Sequence, residues 1–356
     1  MSAHDDSSVL SRRDREILKD VVRTFILSGD PVSSRSVAKN RRHGVSAATI
    51  RNTMADLEEE GYLRQPHASA GRVPTAAGYH FYVDSLMPAR RLSAHQRGYI
   101  DESLHEVIET GGDPVATAGH LLSELSHQVG VVLTPNMGET VLRAIEFLPL
   151  SGDRVLCVLV STSGFVDQKV VRAGSVPARE DLVRISNYLT ENFAGLTLRQ
   201  IRARLVRSMS AERAQVDHLL SNALALARQA LESGDQDVVV EGTAGLLGQP
   251  ELGNIDQVRR LLDTFDEKAR LVELLGKVIE GRGVRVLIGD DTDLTSELDF
   301  SLVATTYAVG GRALGSLGVF GPSRMEYRYA IPLVNYLGET LGRALEEVDG
   351  EAPDDE

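Results

Sequence analysis

The chain has 356 residues, 42% of them hydrophobic and 25% charged, which is length and apolar content for two or three domains with ordinary cores. Its single cysteine, Cys157, excludes an intramolecular disulfide framework. With no apolar run of membrane-spanning length and no charged-then-apolar leader, the expected location is the cytoplasm. A net charge of −13 argues against a nucleic-acid partner for the chain as a whole, yet the charge is unevenly spread. Residues 1–97 hold 15 Lys+Arg against 11 Asp+Glu, whereas the remainder holds 23 against 40. Any electrostatic footprint for DNA is therefore confined to the N-terminal quarter, and the acidic body would be repelled by the same DNA.

Residues 11–27 carry Ile17, Leu18, Val21, Val22, Phe25 and Ile26 at helical spacing with charge on the opposite face. Gly29-Asp30-Pro31 stops that helix. Residues 34–39 read as a short second helix, and Arg41-Arg42-His43-Gly44 as the turn into a third. Ser46 can cap the third helix by accepting from the free N–H groups of its first turn. Ile50, Met54 and Leu57 then give it one apolar stripe, leaving Ala48, Thr49, Arg51 and Asn52 on the other side near its N-terminal end. Helix-turn-helix proteins present base-reading side chains at that end. Gly61 closes the helix, because glycine takes the left-handed conformation cheaply.

Residues 62–65 and 72–75 read as two strands around the small tip Pro66-His67-Ala68-Ser69-Ala70-Gly71, a basic hairpin carrying Arg64, His67 and Arg72. Alone such a hairpin is a solvated surface feature. Directly after a helix-turn-helix it is a wing beside a groove, so residues 1–87 are expected to form a winged helix-turn-helix. Arg51 and Asn52 are the expected base readers, since arginine pairs bidentately with guanine and asparagine with adenine. Ala48 and Thr49 join them. Arg35, Lys39, Arg41, Arg42, Ser46, Arg64, His67 and Arg72 are the expected backbone and wing contacts. Tyr79, Phe81 and Tyr82 read as packing under the wing and against the first helix rather than as base-stacking platforms.

After a linker at 88–94, residues 95–129 read mostly as helix with a break at Gly111-Gly112-Asp113-Pro114. Three strand-like runs follow, at 141–150, 154–161 and 165–173, with separators short enough for an antiparallel meander. The period then changes to helical over 179–232, with an alanine-rich helix near 211–232. Residues 238–241 and 284–288 read as short strands around a helix at 254–280. The runs 302–309 and 313–320 form a hairpin at Gly310-Gly311-Arg312, and a helix from Pro322 to about Leu345 closes the chain before an acidic tail. The pattern is α+β and multidomain.

Enzymatic readings find little footing. Gly242-Thr-Ala-Gly-Leu-Leu-Gly248 lacks both the G-x-G-x-x-G spacing and a P-loop lysine, so it reads as turn geometry. Asp290, Asp291 and Asp293 lack the glycine and terminal glutamate of a calcium loop and read as a solvated loop. The nine histidines form no metal or nucleophile motif, and no cofactor is expected. Cys157 reads as a small buried hydrophobe within an apolar strand.

The runs PVSSRSVAK, VSAATIRNTMADLEEEGYL and QPHASAGRVPTAAGYHFYVD, with LRAIEFLPL, GLLGQPE and GSLGVFGPSRMEYRYAIPLV further on, resemble the family of heat-inducible transcription repressors HrcA. The basic turn at 39–43 and Ala68 at the wing tip depart from the family pattern. The resemblance implies a GAF-like α/β domain, at 95–138 and 236–347, interrupted by an inserted dimerisation domain at 139–235 that is a three-stranded antiparallel sheet plus helices. Residues 348–356 are the acidic tail. It further implies a homodimer on an inverted-repeat operator of chaperonin and DnaK-type chaperone genes, with a GroEL-type chaperonin as partner and nucleoid association when bound. The contrasting expectation is a ligand-sensing GAF-type regulator of another regulon, and a cavity with converging polar groups would favour it.

Overall fold

The structure, a computed structural model, describes residues 10–39, 45–87, 91–135, 140–162, 166–173, 178–201, 237–246, 267–279 and 283–350, with a few isolated positions between them. The expected helix at 211–232, apart from Leu226, falls outside the described residues, whereas the C-terminal half of the one expected at 254–280 is described and is helical over Lys268–Ile279.

The N-terminal module is three helices and a hairpin. Helix α1 (Arg12–Ser28) starts at a capping box of Ser11 and Asp14 and ends at Gly29, whose φ of 72° is left-handed. Helix α2 (Ser34–Ala38) is capped by Ser33 and α3 (Ala47–Glu59) by Ser46. Strand β1 (Leu63–Arg64) pairs antiparallel with β2 (Val73–Pro74). Helix α4 (Ala76–Phe81) is capped by Thr75 and runs into a π turn at Tyr82–Leu86. Thr75 therefore serves the helix rather than the strand expected for it. Ile17, Leu18, Val21 and Val22 of α1 meet Ile50, Met54 and Leu57 of α3 in one buried cluster. Tyr79 and Tyr82 are buried in it too, and Phe81 packs on Tyr62 with ring centroids 5.3 Å apart.

Helices α5 (Ala94–Glu109) and α6 (Pro114–Ser126) lead into strand β3 (Val129–Leu133). The helix expected to reach residue 129 instead stops at His127, which is left-handed at φ 57°. All five β3 residues are buried. Val132 faces the core shared with α6, while Val129, Val131 and Leu133 face a second core. A strand buried on both sides shows no alternation, which is why residues 130–133 carry no strand signal in the sequence.

Strands β4 (Leu142–Pro149), β5 (Arg154–Ser161) and β6 (Val166–Arg172) form a separate antiparallel meander in sequence order. Helix α7 (Arg179–Phe193) covers one face, burying Leu182, Ile185, Leu189 and Phe193 against Ile145, Phe147, Val155, Cys157 and Leu159. The opposite face keeps Leu148, Val166 and Val170 exposed.

The chain then returns through β7 (Val238–Glu241), α8 (Thr243–Leu246), α9 (Lys268–Ile279), β8 (Arg285–Ile288), α10 (Asp293–Leu298), β9 (Phe300–Val309), β10 (Arg312–Pro322) and α11 (Tyr327–Gly350). Strand β10 runs to Pro322, so the closing helix begins five residues later than expected. The five-stranded sheet has the order β7-β3-β10-β9-β8, antiparallel throughout. Helices α6 and α11 pack on one face and α9 on the other, so both faces are filled by apolar side chains. Strand β7 pairs directly with β3, and Thr134 donates from its backbone to the Asp237 carbonyl at 2.9 Å. The chain thus leaves the sheet at residue 134 and rejoins it at 237, beside its point of departure.

Candidate nucleic-acid interface

The exposed side of α3 is set by what the helix buries. Ile50, Thr53, Met54 and Leu57 are buried, so Ala48, Arg51 and Asn52 stand in solvent and Thr49 is half-buried. Ser46 is exposed and its hydroxyl accepts from the Thr49 backbone N–H at 3.2 Å. The two hydroxyls, Ser46 Oγ and Thr49 Oγ1, are themselves 3.0 Å apart. Ser46 therefore holds the first turn of the helix, and the Thr49 hydroxyl already has a local partner.

Elsewhere in the module Arg35 and Lys39 are exposed on and after α2, and His67 is exposed at the hairpin tip. Arg41 and Arg42 lie outside the described residues. Arg64, also exposed, lines a cleft beneath the hairpin. Arg72 is different, because its Nη2 lies 2.8 Å from Glu58 Oε2 on α3, in a partly buried ion pair. That contact ties the hairpin base to the helix and competes with any phosphate for the Arg72 guanidinium. Nothing in the sequence marks Glu58 as its partner, since thirteen residues, among them strand β1 and the hairpin tip, separate the two.

Two further devices fix the hairpin. Val32 and Arg72 exchange backbone hydrogen bonds at 2.9 and 2.8 Å, joining the hairpin to the segment before α2. Gly71 permits that approach, since a Cβ there would lie 2.4 Å from the Val32 carbonyl oxygen. At the tip, Gln65 Nε2 donates to the Ala68 and Ala70 carbonyls at 3.1 and 2.9 Å, so the loop is internally braced. Sequence reading passed over both residues, although a glycine at the end of a small polar tip was the available signal.

The module is also fastened to the sheet domain. Tyr79 packs on Tyr327 at 6.0 Å between ring centroids. His80 Nε2 stands 2.8 Å from Asp291 Oδ2, an ion pair whenever the imidazole carries both protons. Arg324 Nη1 donates to the Ile26 carbonyl at 3.3 Å. Asp291 accepts from the Ile288 N–H at 2.7 Å and Asp290 from Ser296 Oγ at 2.7 Å, so the acidic loop is occupied with local hydrogen bonds. Among the described residues no group of three or more His, Cys, Asp or Glu side chains could hold a metal ion, and no helix is long and apolar enough to cross a membrane.

Comparison with known proteins shows the family of the chain. Residues 113–331 match the family described as HrcA protein C terminal domain. The chain is 40% identical over 339 residues to the heat-inducible transcription repressor HrcA of Geobacter sulfurreducens, covering 95% of this chain and 98% of that one. Against the protein of the same name from Syntrophobacter fumaroxidans it is 37% identical over 345 residues, covering 96% and 99%. A crystal structure described as a hypothetical protein superposes with a TM-score of 0.65 at 23% identity, covering 95% of this chain and 99% of that one, which shows a shared fold. HrcA is a family of transcriptional repressors and not of enzymes. At this identity and over nearly its whole length, the chain belongs to the HrcA family.

Proposed function

We propose that this protein is a cytoplasmic repressor that reads an inverted-repeat operator of chaperonin and DnaK-type chaperone genes as a homodimer. In this reading residues 1–87 are a winged helix-turn-helix and α3 enters the major groove. Arg51 and Asn52 read base edges, Ala48 and Thr49 flank them, and Arg35, Lys39, Arg41, Arg42, Ser46, Arg64 and His67 meet the backbone, while Arg72 meets it only in exchange for its ion pair with Glu58. The observation that carries the reading is the division of α3, whose apolar stripe is buried while Ala48, Arg51 and Asn52 stand exposed beside a braced hairpin. Family membership supports the chaperone regulon.

The rest of the reading assigns a GAF-like domain at 95–138 and 236–347 and an inserted dimerisation domain at 139–235. The pairing of β3 with β7 supports an insertion, because the two ends of the inserted segment meet on one sheet. The dimer is supported by the uncovered face of the meander, where Leu148, Val166 and Val170 are exposed at 41%, 46% and 51%. One recognition helix per subunit then meets one half-site. Chaperonin dependence fits a sheet domain built from distant strands, such as Leu133 against Ser316, since long-range pairing folds slowly.

The test is a gel shift at fixed salt with the chaperone-operator repeat and a scramble of equal composition, each with and without chaperonin. A preference for the repeat of about a thousandfold lies within the specific range. Equal weak binding to both duplexes refutes the repressor reading.

A further inference from the structure

The hairpin and the last turn of α3 are joined by an ion pair that differs from an ordinary surface contact. Arg72 Nη2 and Glu58 Oε2 are 2.8 Å apart, with the two side chains only 18% and 32% exposed. A guanidinium–carboxylate contact this short and this shielded is charge-assisted and little screened by salt. Helical geometry gives its place on the module. Glu58 follows Arg51 by seven residues, so the two project from nearly the same side of α3, about 10 Å apart along its axis. The pair thus stands on the Arg51 side of the helix, at the edge of the face that the buried stripe leaves exposed.

The pairing is incomplete. Arg72 Nε is buried and finds no acceptor, so the closed pose leaves one donor of the fork desolvated and unsatisfied. Swinging the guanidinium outward would hydrate Nε and offset part of the cost of parting from Glu58. The swing needs only the side chain. The Arg72 backbone is fixed by its reciprocal hydrogen bonds with Val32 at 2.9 and 2.8 Å, and β2 begins at the next residue. The pivot therefore stays in place while the charged end has two destinations, a carboxylate on α3 or a phosphate beside it. Both present oxygen anions that suit the same planar fork.

We propose that Glu58 is an intramolecular stand-in for a DNA phosphate: it holds the Arg72 guanidinium against α3 in the free protein and gives it up when duplex DNA binds. The inference rests on the DNA-binding reading and adds a regulatory residue to it. Glu58 is then a positioning residue that restrains DNA binding, because every complex must first part the pair. A phosphate carries no sequence, so the restraint falls equally on operator and unrelated duplex.

Gel shifts of the full-length protein on operator and scrambled duplexes, over a series of salt concentrations, would compare wild type with Glu58→Gln, Arg72→Ala and the double variant. Glu58→Gln keeps the shape of the side chain and removes its charge, so it should tighten both duplexes about three- to tenfold. In the Arg72→Ala background that gain should vanish, which separates exchange from the simple removal of a negative charge near DNA. Arg72→Ala alone should flatten the dependence of log affinity on log salt by about 0.9, one phosphate contact, although Glu58 is present. The Val32 and Arg72 amides should exchange with solvent in Glu58→Gln as in wild type, since their backbone bonds are untouched. A wild-type chain that binds neither duplex defeats the DNA-binding reading and this inference with it. Where the wild type binds, the exchange alone is overturned by no gain in Glu58→Gln, by an equal gain in the Arg72→Ala background, or by an unaltered salt slope in Arg72→Ala. Faster amide exchange at Val32 and Arg72 would also overturn it, by assigning the gain to a loosened hairpin.

Discussion

Replacing Gly71 with alanine tests how the hairpin is held in place. The added Cβ would lie 2.4 Å from the Val32 carbonyl oxygen, 2.5 Å from the Val32 carbonyl carbon and 2.7 Å from that of Pro31. All three are backbone atoms, so no side chain can swing aside and the hairpin base must move. That movement breaks the reciprocal Val32–Arg72 hydrogen bonds, now at 2.9 and 2.8 Å. At about 0.5–1.5 kcal/mol net per bond, losing both costs about 1–3 kcal/mol. Local opening at the hairpin base should then rise roughly 5- to 150-fold. Amide hydrogen exchange reads this directly: the Val32 and Arg72 amides should exchange faster by that factor in Gly71→Ala. The Ile50 amide, bonded to the Ser46 carbonyl inside α3, should be unaffected. If DNA engagement needs the hairpin in place, affinity for operator and scrambled duplex should fall together. Unchanged exchange at Val32 and Arg72 would refute the argument, because the clash would then have been absorbed elsewhere.

Three other outcomes follow from the same geometry. Arg51→Ala removes an exposed side chain and should cost about 1–3 kcal/mol on the operator while relaxing preference at one base pair; Arg35→Ala should weaken all sequences alike, and equal losses on both duplexes for Arg51→Ala would end its role as reader. Val170→Asp puts a charge on the uncovered face of the meander, next to Val171 in the core, and should turn the proposed dimer into monomer in sedimentation without unfolding the chain. A dimer that persists would move the interface elsewhere. Tyr79, Tyr307 and Tyr327 are each raised chiefly by burial, so the folded chain keeps protons that the unfolded chain loses above its ordinary tyrosine value. Their stabilising contribution is whole below about pH 10 and falls by about 1.4 kcal/mol per pH unit for each tyrosine above it. Urea unfolding followed by tyrosinate absorbance on either side of that pH checks the slope, and a flat stability would contradict it.

Much of this arrangement is legible in the residues, for a physical reason. Helix caps, apolar stripes and turn residues act over a few positions, and Ser46, Ile50, Met54, Leu57 and Gly61 state α3 almost completely. The meander is equally plain because its one buried face produces alternation, as in Val155, Cys157 and Leu159. Strand β3 escapes notice because burial on both faces erases the period. The junction escapes for another reason: Tyr79 with Tyr327, His80 with Asp291 and Arg324 with Ile26 join segments more than 200 residues apart. No local pattern announces such a meeting. Arg72 shows the limit within the site itself, since a basic residue in a hairpin reads the same whether it faces phosphate or Glu58.

Under the proposed function, those distant contacts bear on how operator binding would be lost on heating. The N-terminal module does not close its own core: Ile17, Val21 and Tyr79 belong to one continuous cluster with Met325, Tyr327 and Leu333 of the sheet domain. The packing of the module is therefore complete only when β9, β10 and α11 are assembled, and that assembly depends on strand pairs such as Phe320 with Val129, far apart in sequence. Long-range pairing is the slow part of folding and exposes apolar surface while it waits. If α3 is the base-reading helix, a module that leans on this slowly formed sheet domain through α1 and α4 links operator occupancy to the state of the whole fold. Under the proposed function this linkage is what a chaperonin would act on, with no separate temperature-sensing element required.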